Sequence, residues 1–74
     1  MIDWTACEVV ERVPGRLGGA WVMRGTRIPV DAVLANAADG FVPAELSMMF
    51  PGLSEADARR VIEFASQAAH AHSA

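Results

Sequence analysis

A single cysteine, Cys7, in a chain of only 74 residues is the feature that most restricts how this sequence can fold. With no second cysteine, the chain cannot form an internal disulfide. Chains below about 80 residues seldom gain more than ~5 kcal/mol from a lone core, and most depend on a disulfide, a metal or a partner subunit. The two histidines, His70 and His72, form no Cys/His cluster, which argues against a bound metal. We therefore expect a single domain, residues 1–74, that is stabilised as a homodimer.

Composition and the first residues of the sequence narrow the class of protein. Hydrophobic residues make up 53% of the chain and charged residues 20%, a balance typical of a folded domain rather than a disordered one. No apolar run approaches the ~18 residues of a membrane span. The first basic residue is Arg12, so the sequence begins without the basic region of a secretory signal. These features predict a cytoplasmic protein with no membrane association.

Charge is distributed unevenly, and all six basic residues are arginines. Residues 12–30 contain four arginines and no acid, whereas residues 31–74 contain two arginines and six acids. The first segment is consistent either with a solubilising charge cluster or with a surface that meets an anionic partner. The net charge of −3 argues against strong non-specific DNA binding by a monomer.

The N-terminal part, residues 1–28, is predicted to be an arm that contains a β-hairpin. Residues 7–13 (CEVVERV) and 20–23 (AWVM) contain β-branched and aromatic residues, and the glycines and proline between them indicate a turn. Residues 24–27 (RGTR) then form a tight connection, in which Thr26 is expected to cap the first helix.

Residues 29–70 are predicted to form three helices, and residues 71–74 a frayed tail. Gly40 ends the first helix, Pro43 begins the second, and Ser54 caps the third. The apolar stripes of these helices are Val30, Val33, Leu34 and Ala37; Leu46, Met49 and Phe50; and Ala58, Val61, Ile62, Ala65, Ala68 and Ala69. The expected fold is mainly α: a short N-terminal β-hairpin followed by a helix-turn-helix-like three-helix bundle.

One stretch of the sequence is distinctive: residues 18–30 read GGAWVMRGTRIPV. Further short motifs follow it along the chain: Gly40, PAE at 43–45, FP at 50–51 and LSEAD at 53–57. Together they resemble the prokaryotic domain-of-unknown-function family 433 (DUF433) over most of the chain.

The resemblance implies a homeodomain-like body of three helices and a role as the antitoxin of a type II toxin–antitoxin pair. The implied partner is a PIN-like ribonuclease toxin, with the protein's own operator DNA as a second contact. Two positions depart from the family's usual pattern. Trp21 stands where proline is frequent, which changes the surface of the second strand. Val42 stands where Ser or Thr is frequent, which removes an N-cap from the short second helix.

The candidate DNA-binding residues are Arg16, Arg24, Arg27, Arg59 and Arg60. A guanidinium is a planar, bidentate donor that suits phosphate or carboxylate. Arg24 and Arg27 flank the tight connection, where the alternative role, for at least one of them, is to hold a carboxylate or helix carbonyls within the fold. Arg59 and Arg60 follow Glu55 and Asp57 at i+4 and i+3 spacing, so the alternative there is an ion-paired, exposed helix face.

Trp4, Trp21 and Met48 are the candidate protein-interface residues. So small a chain has little core in which to bury two tryptophans, and tryptophan is enriched at interfaces. Met48 lies off the apolar stripe of the second helix, and methionine adapts to a partner's surface. Cys7 is interpreted as a small buried apolar residue.

No catalytic constellation is visible in the sequence, so we expect neither an enzyme nor a cofactor or small-molecule substrate. The hypothesis that follows is an antitoxin-like binding module. The alternatives are a stand-alone DNA-binding regulator and a purely structural or oligomerisation domain.

Overall fold

A computed structural model describes residues 3–12, 15 and 19–73, and only the backbone for positions 69–73. A 3-10 helix at Trp4–Ala6 precedes the strands β1 (Val10–Glu11) and β2 (Val22–Met23). The helices α1 (Val30–Ala38), α2 (Pro43–Met49) and α3 (Glu55–Ser73) follow. The predicted fold class is confirmed: a small, mainly helical domain with a two-stranded N-terminal hairpin.

The hairpin is antiparallel, with Val10 opposite Met23 and Glu11 opposite Val22. Each strand has only two residues, so the pairing is much shorter than the two predicted strand segments. A two-stranded ribbon is marginally stable by itself. Its stability here depends on the burial of Val10, Val22 and Met23 against the rest of the domain.

Strand β2 also makes backbone contacts with the segment that enters α1. The Met23 N–H donates to the Ile28 carbonyl at 2.9 Å, and the Val30 N–H donates to the Trp21 carbonyl at 3.0 Å. Because these backbone hydrogen bonds connect β2 and its neighbour Trp21 to the segment that enters α1, the start of α1 is held directly against the hairpin.

The side chain of Thr26 stabilises the tight connection at 24–27 through two hydrogen bonds. Its hydroxyl donates to the Met23 carbonyl at 2.7 Å and accepts from the Ile28 N–H at 3.0 Å. Gly25 supplies the positive φ of 75° that the turn requires, and its N–H donates to a Glu11 carboxylate oxygen at 2.8 Å. The prediction that Thr26 caps α1 is therefore wrong, because its hydroxyl is used within the turn and α1 has no side-chain cap.

The helix ends agree with the local signals in the sequence. Gly40 follows the C-cap of α1 with a φ of 105°, a left-handed conformation that strains other residues. Pro43 begins α2, and the Ser54 hydroxyl accepts from the Asp57 N–H at 3.1 Å at the start of α3. The backbone of α3 is helical through Ser73, beyond position 70, after which the sequence predicts a frayed tail at 71–74.

The core lies where the hairpin meets the three helices, and α2 packs against both α1 and α3. The buried side chains of the core include Cys7, Val9, Val10, Val22, Met23, Val30, Val33, Leu46, Leu53, Ala58 and Val61. The interpretation of Cys7 as a buried apolar residue is confirmed. Met49 differs from its prediction and lies largely at the surface, because α2 ends there and Phe50 takes the adjoining place against the core.

Among the described residues, no helix combines the length and the apolar character needed to cross a lipid bilayer.

Candidate partner-binding surface

Four large apolar side chains are exposed on and just before α2, and we name them the α2 strip. They are Phe41 (40% exposed), Val42 (53%), Met48 (84%) and Met49 (42%). Single exposed apolar residues are common on soluble proteins, whereas grouped ones mark interaction sites. The predicted exposure of Met48 is confirmed, and the other three residues enlarge the surface.

The strip is held in place by contacts within the chain. The Phe41 N–H donates to the Asn36 carbonyl at 3.3 Å, which closes the end of α1. The Val42 N–H donates to a Glu45 carboxylate oxygen at 3.0 Å, which fixes the entry to α2. Leu46, fully buried, anchors the helix from its inner side. The strip therefore lies on an anchored element and not on a loose loop.

Sequence reasoning missed Phe41, Val42 and Met49 as surface residues. Phe41 and Val42 stand between the glycine that ends α1 and the proline that begins α2. Connections of this kind are usually polar. Two large apolar residues in succession there are the signal that points to the strip.

Two acidic residues lie close to the strip in the sequence. Asp39 and Glu45 are both exposed, and Glu45 touches the backbone of Val42. Between Arg27 and Arg59 the sequence has no basic residue. The segment that carries the strip therefore combines exposed apolar side chains with negative charge.

Two of the predicted DNA-binding arginines converge on Glu8. Arg24 Nη1 donates to the Glu8 carbonyl at 2.8 Å, and Arg60 Nε donates to the Glu8 carboxylate at 3.3 Å. Arg60 also lies over the Phe64 ring, at 5.9 Å from its centroid. Arg24 does act within the fold, but it holds the carbonyl of Glu8 in the N-terminal segment, whereas the sequence predicts a carboxylate or a helix carbonyl. The predicted pairing of Asp57 with Arg60 is wrong, because Glu8 of the N-terminal segment reaches Arg60 instead.

Among the described residues, the other arginines, Arg12, Arg27 and Arg59, lie on different segments of the chain. Arg59 pairs with Glu55 at 2.7 Å along the exposed face of α3, as the i+4 spacing predicts. Arg27 is exposed at the tight connection, and Arg12 lies over the Trp21 ring at 5.6 Å from its centroid. Arg16 lies outside the described residues.

Both tryptophans pack against the core and remain partly exposed. Trp4 stacks on Phe64 of α3, with ring centroids 5.4 Å apart and planes at 30°. Trp21 lies at the hairpin, under the Arg12 guanidinium. Trp4 and Trp21 thus have partners within the fold and lie apart in the chain from the α2 strip, and their role at an interface stays a prediction.

Within the part of the chain that the structure describes, no three His, Cys, Asp or Glu side chains are grouped so that they could hold a metal ion.

Comparison with known proteins places this fold among relatives. The family model described as "Protein of unknown function (DUF433)" matches residues 10–65. The crystal structure of a DUF433 member protein from Anabaena variabilis is 31% identical in sequence, with a TM-score of 0.66. The alignment covers 84% of this chain but 61% of that one, so this chain spans less than two thirds of its solved relative. Among curated proteins, no sequence matches this chain.

The resemblance predicted from the GGAWVMRGTRIPV run is thus confirmed, since the matched range contains that run and all three helix starts. The solved structure adds agreement in fold at a sequence identity of 31%. Since the family model covers most of its length, the chain belongs to the DUF433 family.

Proposed function

We propose that this protein is a cytoplasmic, antitoxin-like binding module that contacts a PIN-like ribonuclease toxin through the α2 strip. The observation that carries the proposal is the exposure of Phe41, Val42, Met48 and Met49 on one short, anchored helix and its entry. Phenylalanine and methionine are enriched at protein interfaces, and methionine adapts its shape to a partner.

Charge and contact geometry support a protein partner over DNA. Arg60 and Arg24 are already engaged with Glu8, and Arg59 with Glu55. Recruiting them to phosphates would require breaking these contacts. The chain also carries a net charge of −3, which opposes the approach of a polyanion.

The first test is whether the neighbouring reading frame encodes a PIN-like protein, and the second is whether that protein binds this one in isothermal titration calorimetry; absence of such a reading frame would contradict the proposal. Met48→Gln replaces an apolar side chain with a polar one of similar length, and we expect the Kd to rise about tenfold, or ~1.4 kcal/mol. Arg59→Gln is the matched control, because it changes an exposed long side chain on α3 to the same residue. Equal effects of the two variants, or no binding by the wild type, would contradict the proposal.

Operator binding is the second candidate function, and the exposure of Arg27 beside the hairpin favours it. A salt titration against the DNA upstream of the gene tests it. Arg27→Ala should reduce the slope of log K against log salt by about one unit for each phosphate that the arginine neutralises. Met48→Gln should leave that slope unchanged, because the α2 strip carries no cation.

A further inference from the structure

We infer that the partner presents to the α2 strip an apolar patch bordered by basic side chains, and that Val42 is a contact residue kept there at the expense of helix stability. The identity of the partner rests on the proposed function. The chemistry of its surface follows from Val42 and from the charges around the strip.

Val42 occupies the N-cap position of α2, with an extended backbone (φ −85°, ψ 162°). At this position a Ser, Thr, Asp or Asn side chain accepts a hydrogen bond from the first turn, and valine cannot. The Glu45 carboxylate already accepts from the Val42 N–H at 3.0 Å, so one half of a capping box is present. A serine at position 42 would complete the box. The valine instead leaves an apolar side chain, 53% exposed, at the entry to α2, next to Phe41 in the sequence.

The charges near the strip determine which side chains should border the apolar patch of the partner. Asp39 and Glu45 are exposed on either side of Val42 in the sequence, and the segment 28–58 has no cation to neutralise them. A partner with Lys or Arg around an apolar patch would pair with both carboxylates. A second copy docked strip to strip would instead place like charges opposite one another. A nucleic-acid backbone would meet the same repulsion.

The decisive variant is Val42→Ser, measured for stability without the partner and for affinity with it. We expect the Tm of the protein alone to rise by roughly 4–8 °C from the completed cap. We expect the Kd for the PIN-like protein to rise several-fold, because the serine buries less apolar surface against the partner. Val42→Ala is the matched control: it shortens the apolar side chain without adding a cap, so affinity should fall with no gain in Tm.

If Val42 had a purely structural role, Val42→Ser would not raise the Tm of the protein alone and at the same time weaken its binding to the partner. If Val42→Ser and Val42→Ala bind the partner as the wild type does, Val42 is not a contact residue and the inference fails. If the Tm of Val42→Ser does not rise, the claim that the valine lowers helix stability is refuted.

The basic rim is tested with Asp39→Asn combined with Glu45→Gln. The glutamine keeps an acceptor for the Val42 N–H while removing the charge. We expect weaker binding and a shallower dependence of Kd on salt. Glu63→Gln, an exposed carboxylate on α3, is the control and should change neither. Unchanged or tighter binding by the double variant would overturn the rim chemistry.

A probe separates failure of this inference from failure of the proposed function. Two helical peptides share a leucine face, one flanked by lysines and the other by glutamates. Binding of the lysine peptide alone, weakened by Val42→Ala, supports the inference even if the PIN-like protein does not bind. Binding of neither peptide overturns it. The inference is also overturned if sedimentation shows the wild type to be a dimer and Val42→Ala a monomer, because the strip would then be occupied by a second copy.

Discussion

Leu46 is the residue whose removal tests most directly how α2 is held in the fold. The helix has seven residues, too few to be stable in isolation, and Leu46 is its buried residue. With 0% of its surface exposed, Leu46 fixes the helix between α1 and α3. Leu46→Ala leaves helix propensity intact and removes only this anchor.

The size of the effect follows from burial. Truncating a fully buried leucine to alanine costs about 2–5 kcal/mol, since the cavity left behind adds to the transfer free energy of the deleted atoms. At about 0.05–0.15 kcal/mol per residue, a chain of 74 residues has a total stability of roughly 4–11 kcal/mol. Leu46→Ala should therefore remove a large share of the stability. A decrease of about 3 kcal/mol corresponds to a fall in Tm of roughly 12–24 °C.

Met48→Ala is the matched control, because it makes a similar truncation two positions along the same helix at a side chain that is 84% exposed. Its free energy of unfolding should change by less than about 0.5 kcal/mol. Urea and thermal unfolding followed by far-UV circular dichroism measure both variants. Equal decreases in the two, or a decrease below about 1 kcal/mol for Leu46→Ala, would refute the placement of α2.

Four further predictions concern the rest of the molecule. Val61→Asp should abolish the helical circular dichroism signal at 25 °C, because Val61 is fully buried and an unpaired carboxylate there costs several kcal/mol. Arg60→Ala should retain that signal, since a largely exposed ion pair such as that with Glu8 contributes at most about 1 kcal/mol. Thr26→Val should lower the free energy of unfolding by about 1–3 kcal/mol, because the hydroxyl serves two backbone groups of the turn, and Thr26→Ser should restore most of it. Sedimentation at low micromolar concentration should show a homodimer; a well-folded monomer near 7.9 kDa would contradict the argument from chain size.

The candidate surface could be predicted from the sequence only in part. Met48 was accessible to sequence reasoning because it lies off the apolar stripe of its own helix. Met49 belongs to that stripe by spacing, yet it is 42% exposed. Spacing describes one helix in isolation, and where a short helix ends relative to its neighbours decides which of its apolar residues are covered.

Local signals in the sequence predicted the hairpin, the three helices and their ends at Gly40, Pro43 and Ser54, and a motif resemblance identified DUF433. The 3-10 helix at Trp4–Ala6 was not predicted. The strands and helices follow from local backbone chemistry and from apolar periodicity, which act over a few residues, whereas the family follows from the resemblance of the GGAWVMRGTRIPV run. The partners of the charged side chains could be read only from the tertiary structure. Arg60 pairs with Glu8, 52 positions away, and Arg24 donates to the carbonyl of the same residue. Such pairings depend on how the N-terminal segment lies across α3, and the packing of the shared core sets that arrangement.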